Sequence, residues 1–560
     1  MARSPLFAAL RRALRRAHVV HQAGLSPDQV AELTGRAALR RARREPSRRD
    51  LLRAGAGAAA LVPFTAFGAG CGDNLDGEAT VAVVGGGAAG LMAARTLRAG
   101  GVDVTVYEAS ARTGGRMFTR GGLFPDGKVV ELGGELIDTG HELMRFLAGQ
   151  LELTLDDLAA DGAGLRADTF YFDGGIVAEA TLVNEFVPLA ARMATAVTAA
   201  EASDAEFARL DALSIPAWLA GDGMLASSSL VRRVLERAYL GEYGLEVGEQ
   251  SVFNLLWLID FETPDPFRIF GDSDERFHLR QGSQAICDGL AAGLTDRVAF
   301  EHELVALALT GDGRPRLTFD TPGGTVEVTV DRAILAVPFT TLRRVDLAGA
   351  GLDDGKRQVI QQLGYGTNSK LMMGFASKPW RDPDMATGSS VSDLGELQAT
   401  WETSRGYPGA VGVLTNFTGG QRGVAIGQGS AEDRALEVLP WLNAVFPGAQ
   451  AAYTAGTAIR QHWPSAPYAL GSYACYRPGQ AAFSGSEGEA RGRLHFCGEH
   501  TSIDFQGYME GAVETGLRAA DEVLTALGRP LPELLRPFAR DRLPSRVGLR
   551  ARRRARPRRP

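Results

Sequence analysis

Six residues, Gly85-Gly86-Gly87-Ala88-Ala89-Gly90, combine minimal side chains in an order suited to holding a diphosphate. Gly85 permits a tight turn, Gly87 lets a pyrophosphate approach the main chain, and Gly90 lets the following helix sit close to a strand. Eighteen residues after Gly90 stands Glu108, placed to accept hydrogen bonds from ribose hydroxyls. A second chemical candidate is Lys370, inside the apolar alternating run Asn368 to Phe375, which reads as a half-buried strand. A lysine there must find a polar partner or shift its pKa. These residues describe redox chemistry on a dinucleotide, with nicotinamide and flavin both open.

The elements that must position them follow from pattern. Thr80 to Val84 is a short β-branched run that predicts a buried parallel strand, and Leu91 to Ala99 predicts a helix closed by Gly100-Gly101. Val102 to Tyr107 predicts the second strand, with Glu108 at its tip. Far along the chain, Arg493 to Thr501 reads as a strand running into a Gly498-Glu499 turn. A helix then continues to Leu527 and is stopped by Gly528 and Pro530, with Gly507, Gly511 and Ala512 forming a small-residue face at helical spacing. Residues 156–278 read as largely helical, with Tyr239, Tyr243, Phe253 and Trp257 as core. Residues 280–345 hold a glycine turn, a helix from Ser283 to Leu294 and strands, and 365–465 form a second mixed block. The predicted architecture is α/β: a Rossmann-like cofactor domain of three discontinuous segments (79–155, 280–345 and 466–528), interleaved with a mixed α+β substrate domain (156–279 and 346–465). A basic tail, expected to be disordered, covers 529–560.

Composition narrows the function further. The 560 residues carry a net charge of −6, but residues 1–53 contribute +9 and residues 541–560 contribute +8, leaving −23 for residues 54–540. An acidic body speaks against a nucleic-acid-binding core. No apolar run reaches the roughly 18 residues a membrane-spanning helix needs. Cys71, Cys287, Cys475 and Cys497 fit neither a zinc site nor a dense disulfide framework, so no metal is expected. Ser47-Arg48-Arg49-Asp50-Leu51-Leu52, ahead of a weakly apolar Ala/Gly run, reads as a twin-arginine export signal within a leader covering 1–75; Cys71 is a candidate for lipid attachment.

After Glu108 come Arg112-Thr113-Gly114-Gly115-Arg116 and Glu131-Leu132-Gly133-Gly134, and the far end carries Gly498-Glu499-His500-Thr501 and Gln506-Gly507-Tyr508-Met509-Glu510-Gly511. This series resembles the flavin-containing amine oxidase family, which includes monoamine, polyamine and L-amino acid oxidases, over roughly residues 79–528. The resemblance implies FAD as cofactor, with Ala88, Ala89, Glu108, Ala109, Gly115 and Arg116 along the dinucleotide. It places Leu132, Gly133, Gly134 and Glu135 against the flavin, with Val305, Trp463, Gly498, Glu499, Gly507, Tyr508 and Met509 completing the cofactor contacts and Glu499 on the ribityl chain. Ser472 stands where monoamine oxidases bond a cysteine to the flavin, which implies non-covalent FAD. Tyr473 and Tyr508 match the aromatic pair that flanks the substrate amine, and Lys370 matches the lysine that holds a water against the flavin.

L-amino acid oxidases carry Met-Arg after the second glycine pair to clamp the α-carboxylate; this chain has Glu135-Leu136. That favours a primary amine or a polyamine, oxidised to an imine with O2 reduced to H2O2. An L-amino acid oxidase or amino acid monooxygenase is the alternative, and a homodimer is left open.

Overall fold

The computed structural model describes residues 79–257 and 274–539. The leader, Cys71 and the tail beyond 539 lie outside the described residues.

The β-branched run at Thr80–Val84 forms the middle strand of a five-stranded parallel sheet, ordered Leu494–Phe496, Arg332–Leu335, Thr80–Val84, Asp103–Tyr107, Val298–Ala299. Its register decides where a ligand can sit. Val84 is level with Tyr107 and with Leu335, and Leu335 with Phe496. The chain therefore leaves the sheet at Gly85, Glu108, Ala336 and Cys497 along one edge, the carboxyl edge where open α/β sheets bind ligands. Helix Ala88–Ala99 covers one face beside helix Met509–Ala526. A Cβ placed on Gly516 would lie 2.2 Å from the Ala89 carbonyl oxygen, so that glycine allows the two helices their close contact. Gly507 lies in the loop before the second helix, at φ +86°. The expected helical face of Gly507, Gly511 and Ala512 is corrected accordingly: Gly511 packs on the Phe505 carbonyl, and Gly516 meets the first helix.

A seven-stranded sheet stands opposite, ordered Ile459–His462, Ser369–Phe375, Gly412–Thr418, Ala399–Glu402, Ser390–Ser392, Thr169–Phe172, Gly175–Ile176. Leu371, Met373, Phe375 and Leu414 point to helix Ala431–Val445. Alternation puts Lys370, Met372, Phe417 and Trp401 on the other face, with Lys370 level with Phe417. Because both faces are covered, every residue of Ser369–Phe375 is buried, where the alternating run had suggested a half-buried strand.

Of the expected helical block 156–278, the described residues 156–257 are mainly helical, and Tyr239, Tyr243 and Phe253 belong to their core. They also contribute the hairpin Thr169–Phe172/Gly175–Ile176 to the large sheet. The expected tail boundary at 529 falls too early. Leu531 and Leu535 are buried in the cofactor-domain core, the Phe538 ring lies 4.7 Å from Phe146, and Arg529 donates to the Gly100 carbonyl, so residues 529–538 pack on that domain.

Candidate active site

The glycine run is held by main-chain geometry. The Gly85 N–H donates to the Tyr107 carbonyl, and the Gly86 N–H donates to Glu108 Oε2 at 2.6 Å. Gly85 has φ +106°, and a Cβ on Gly90 would lie 2.0 Å from the Gly85 carbonyl oxygen; only glycine fits there. At Gly87 an added Cβ would meet nothing within 4 Å, because that position faces open space. Glu108 Oε1 accepts from the Ser110 N–H and hydroxyl at 2.8 and 2.7 Å, and Oε2, which accepts only from Gly86, retains an acceptor site for a ligand hydroxyl.

The open space is a cleft of about 850 Å³. Gly85, Gly87, Ala88, Ala89, Glu108, Ala109, Gly115 and Arg116 line it from the N-terminal segment, and Val305 and Trp463 from the middle of the chain. Gly498, Glu499, Gly507, Tyr508, Met509 and Tyr473 line it from the C-terminal segment. Val305 is the extra residue of a bulge between Leu304 and Ala306. Helices Ala88–Ala99 and Met509–Ala526 begin at this cleft and neither has a side-chain cap. Their first N–H groups are available to anionic or acceptor groups of a ligand. The uncapped amides, the open approach at Gly87 and the remaining acceptor capacity of Glu108 fit the pyrophosphate and ribose of a dinucleotide such as FAD.

Arg116 and Glu499, expected on the pyrophosphate and the ribityl chain, hold each other. Arg116 Nη1 donates to Glu499 Oε1 at 2.7 Å and to the Ser472 carbonyl at 2.7 Å, while Glu499 Oε2 accepts from the Gly507 N–H at 2.9 Å. This pair fastens the N-terminal glycine turn to both C-terminal segments. Gly133 belongs to the same joint: a Cβ there would lie 1.8 Å from the Arg116 carbonyl oxygen, which accepts from the Gly134 N–H. Trp463 Nε1 donates to the Leu132 carbonyl at 3.1 Å. The Ser472 hydroxyl donates to Asn368 Oδ1 at 2.6 Å. His500 turns away from the cleft to pack 4.4 Å from the Phe339 ring, and burial holds its imidazole well below its ordinary pKa.

Tyr473 and Tyr508 flank Gly507. The Tyr473 ring lies 3.6 Å from where a Gly507 Cβ would be, and its hydroxyl donates to the Glu242 carbonyl at the C-terminal end of helix Leu230–Tyr243. Tyr508 packs against His141 with ring centroids 5.1 Å apart, and His141 Nε2 is 3.4 Å from Asp138. Glu242 and His141 were not singled out by sequence. The Asp138-Thr139-Gly140-His141 turn ahead of helix Glu142–Gln150 was a readable signal. Glu510 anchors that helix by accepting from the Leu143 and Met144 N–H groups at 2.9 and 2.8 Å.

Leu132, Gly133, Gly134, Glu135, Leu136 and Lys370 lie behind the cleft wall. Lys370 Nζ donates to Glu135 Oε2 at 2.7 Å and to the Glu131 carbonyl at 2.9 Å, and stands 5.1 Å from the Trp401 ring centroid. Glu135, expected to face substrate and flavin, is thus turned toward Lys370. Glu131 sits beside them, accepting from the Ser283 N–H at 2.6 Å and from the Thr119 hydroxyl. Burial pushes its carboxyl up to about 7, and the neighbouring Glu135 acts in the same direction. Leu136 is buried. Among the described residues, Arg95 alone of the arginines is buried, and it donates to the Gly293 carbonyl away from this site.

A parallel sheet with uncapped helices and a glycine loop at its carboxyl edge defines a dinucleotide-binding protein. The model of the family described as flavin containing amine oxidoreductase matches residues 88–524, and the chain belongs to that family. It is 26% identical to an L-amino acid dehydrogenase of Synechocystis sp., over 80% of this chain and 94% of that protein. It is 25% identical to the flavin-containing amine oxidase B of Sus scrofa, over 82% and 88%. The solved cyclohexylamine oxidase of Brevibacterium oxydans IH-35A superposes with a TM-score of 0.68 at 21% identity, covering 81% of this chain and all of that one.

Proposed function

We propose that the protein is an FAD-dependent oxidase of amines that lack an α-carboxylate, primary amines or polyamines. It would convert the C–N bond to an imine that hydrolyses to a carbonyl compound, with O2 reduced to H2O2. The observation that carries this reading is the charge around the two tyrosines. Asp138, beside the His141 ring that packs on Tyr508, and Glu242, whose carbonyl holds the Tyr473 hydroxyl, are buried next to them, and Arg116 at the cleft is already paired with Glu499. An ammonium is drawn to such surroundings, and among the described residues no buried arginine stands beside the two tyrosines to clamp a carboxylate. Bound FAD supplies the two-electron chemistry. The chain's own residues bind and orient: Tyr473 and Tyr508 present ring faces that guide the amine and attract its cationic form, and Lys370 serves the reaction with oxygen.

FAD is held without a covalent bond, since the flavin-linking cysteine of the monoamine oxidases is replaced by Ser472. The leader exports the folded protein by the twin-arginine route. The L-amino acid oxidase reading is kept for one reason: an amino acid enzyme stands among the relatives. Peroxide release from diamines, arylalkylamines and L-amino acids, measured side by side on the purified yellow protein, decides. Turnover of amines at least tenfold above amino acids is expected, and the reverse order refutes the assignment.

A further inference from the structure

We propose that Glu135 is a positioning residue: its carboxylate keeps the Lys370 ammonium charged and aims the one N–H that the ion pair leaves over. The proposal rests on the reading that Lys370 serves the oxygen reaction.

An ammonium has three donors. One goes to Glu135 Oε2 at 2.7 Å and one to the Glu131 carbonyl at 2.9 Å. Both acceptors lie at the ends of the Glu131-Leu132-Gly133-Gly134-Glu135 turn, so Lys370 reaches from the large sheet and clasps that turn at two points. The third N–H is left on the side of the Trp401 ring, 5.1 Å away. Trp401 Nε1 is itself buried and without a hydrogen-bond partner among the described residues. Lys370 and Glu135 side chains are each 3% exposed, so water cannot compensate a lost partner.

The groups around the pair limit what else could hold the charge. Glu131 and Glu135 approach from the glycine turn, Phe417 and Gln461 flank Lys370 on the neighbouring strands, and Tyr407 faces Glu131. The Glu131 carboxylate is committed to Ser283 and Thr119 and offers Lys370 only its main chain. Among the described residues Glu135 is therefore the one carboxylate in direct contact with the ammonium. Without it, a buried ammonium is destabilised against the neutral amine and sheds its proton sooner.

The test uses the FAD-loaded enzyme, reduced anaerobically and mixed with O2 in a stopped-flow instrument over a range of pH. Lys370→Met should be slow at every pH. Glu135→Gln should reoxidise about tenfold more slowly than wild type at neutral pH and recover as pH falls, since a tenfold loss of the charged form is what about one pH unit above the variant's own titration midpoint gives. A wild-type profile in Glu135→Gln with Lys370→Met still slow overturns this inference alone. A wild-type rate in Lys370→Met overturns the underlying reading of Lys370. A pH-independent loss in Glu135→Gln marks a merely structural role and also overturns the proposal. A second readout is independent of turnover. The melting temperature of Glu135→Gln should rise when Lys370→Met is added, because the unpaired buried charge is removed; a further fall overturns the coupling. If Glu135→Gln does not fold, Glu135→Asp keeps the charge on a shorter arm. It must then show the wild-type pH profile at a reduced rate, and a profile displaced to acid overturns the proposal.

Discussion

Two glycines three residues apart, Gly87 capping helix Ala88–Ala99 and Gly90 in its first turn, should respond to the same substitution in opposite ways. At Gly90 an added methyl would sit 2.0 Å from the Gly85 carbonyl oxygen, and main chain cannot swing aside as a side chain can. Relief requires lifting helix Ala88–Ala99 off its strand by more than an ångström. Overpacking of this kind costs about 3 kcal/mol, which lowers the melting temperature by roughly 3 °C in a chain of this size. At Gly87 the methyl meets nothing within 4 Å, and φ −79° with ψ 178° suits alanine. The fold loses less than about 1 kcal/mol, from a poorer helix N-cap. The same methyl projects into the space through which a pyrophosphate reaches the helix amides. Losing one charge-assisted hydrogen bond costs about 1.5–3 kcal/mol, or roughly tenfold to a hundredfold in affinity for FAD. Thermal melts of the apoprotein and fluorescence titration with FAD separate the two effects. If Gly87→Ala bound FAD as tightly as wild type, the cleft would not be the cofactor site.

Two further outcomes follow from the buried groups. Glu131 has its carboxyl raised to about 7 by burial, so between about pH 4.5 and 7 the folded state holds a proton that the unfolded state has released. Its contribution is complete below the unfolded value and is lost as pH rises through 7, so Glu131→Gln should flatten the fall in melting temperature between pH 5 and 7; an unchanged slope refutes it. Precipitation of the holoprotein in acid should leave all the yellow colour in the supernatant, whereas colour in the pellet would show a covalent flavin.

How much of this could be read from sequence depended on whether a residue's partner was local. The loop at Gly85 to Gly90 and the acid at Glu108 lie within one strand–helix–strand unit, whose spacing alone fixes who meets whom, and their geometry follows that spacing. Lys370 was visible as a lysine in an apolar strand, but its partner is 235 residues away, and nothing in either segment points to the other. The burial of the whole strand Ser369–Phe375 was hidden for the same reason, because the second covering layer comes from Phe124, Val130 and Leu132. Gly516 was missed because its contact is with Ala89, across the entire length of the cofactor domain. The tail boundary failed on composition: arginines and prolines from 529 onward conceal Leu531 and Leu535, two apolar residues four positions apart that reach the core.

The long separations have a consequence for how the cleft comes into being. Leu494–Phe496 pairs with Arg332–Leu335, helix Met509–Ala526 lies on Ala88–Ala99, and Arg116 is locked to Glu499 across 383 residues. Each of these contacts closes a very long loop before it gains anything, which is slow by nature. The cradle at Gly87 therefore stays incomplete until the last helix has docked. A ligand that touches both ends of the chain binds only the finished form and stabilises it by mass action. FAD added during refolding should raise the yield of native protein, and riboflavin, which cannot reach the loop at Gly87, should not. Equal yields with either would mean that the glycine loop takes no part in holding the cofactor.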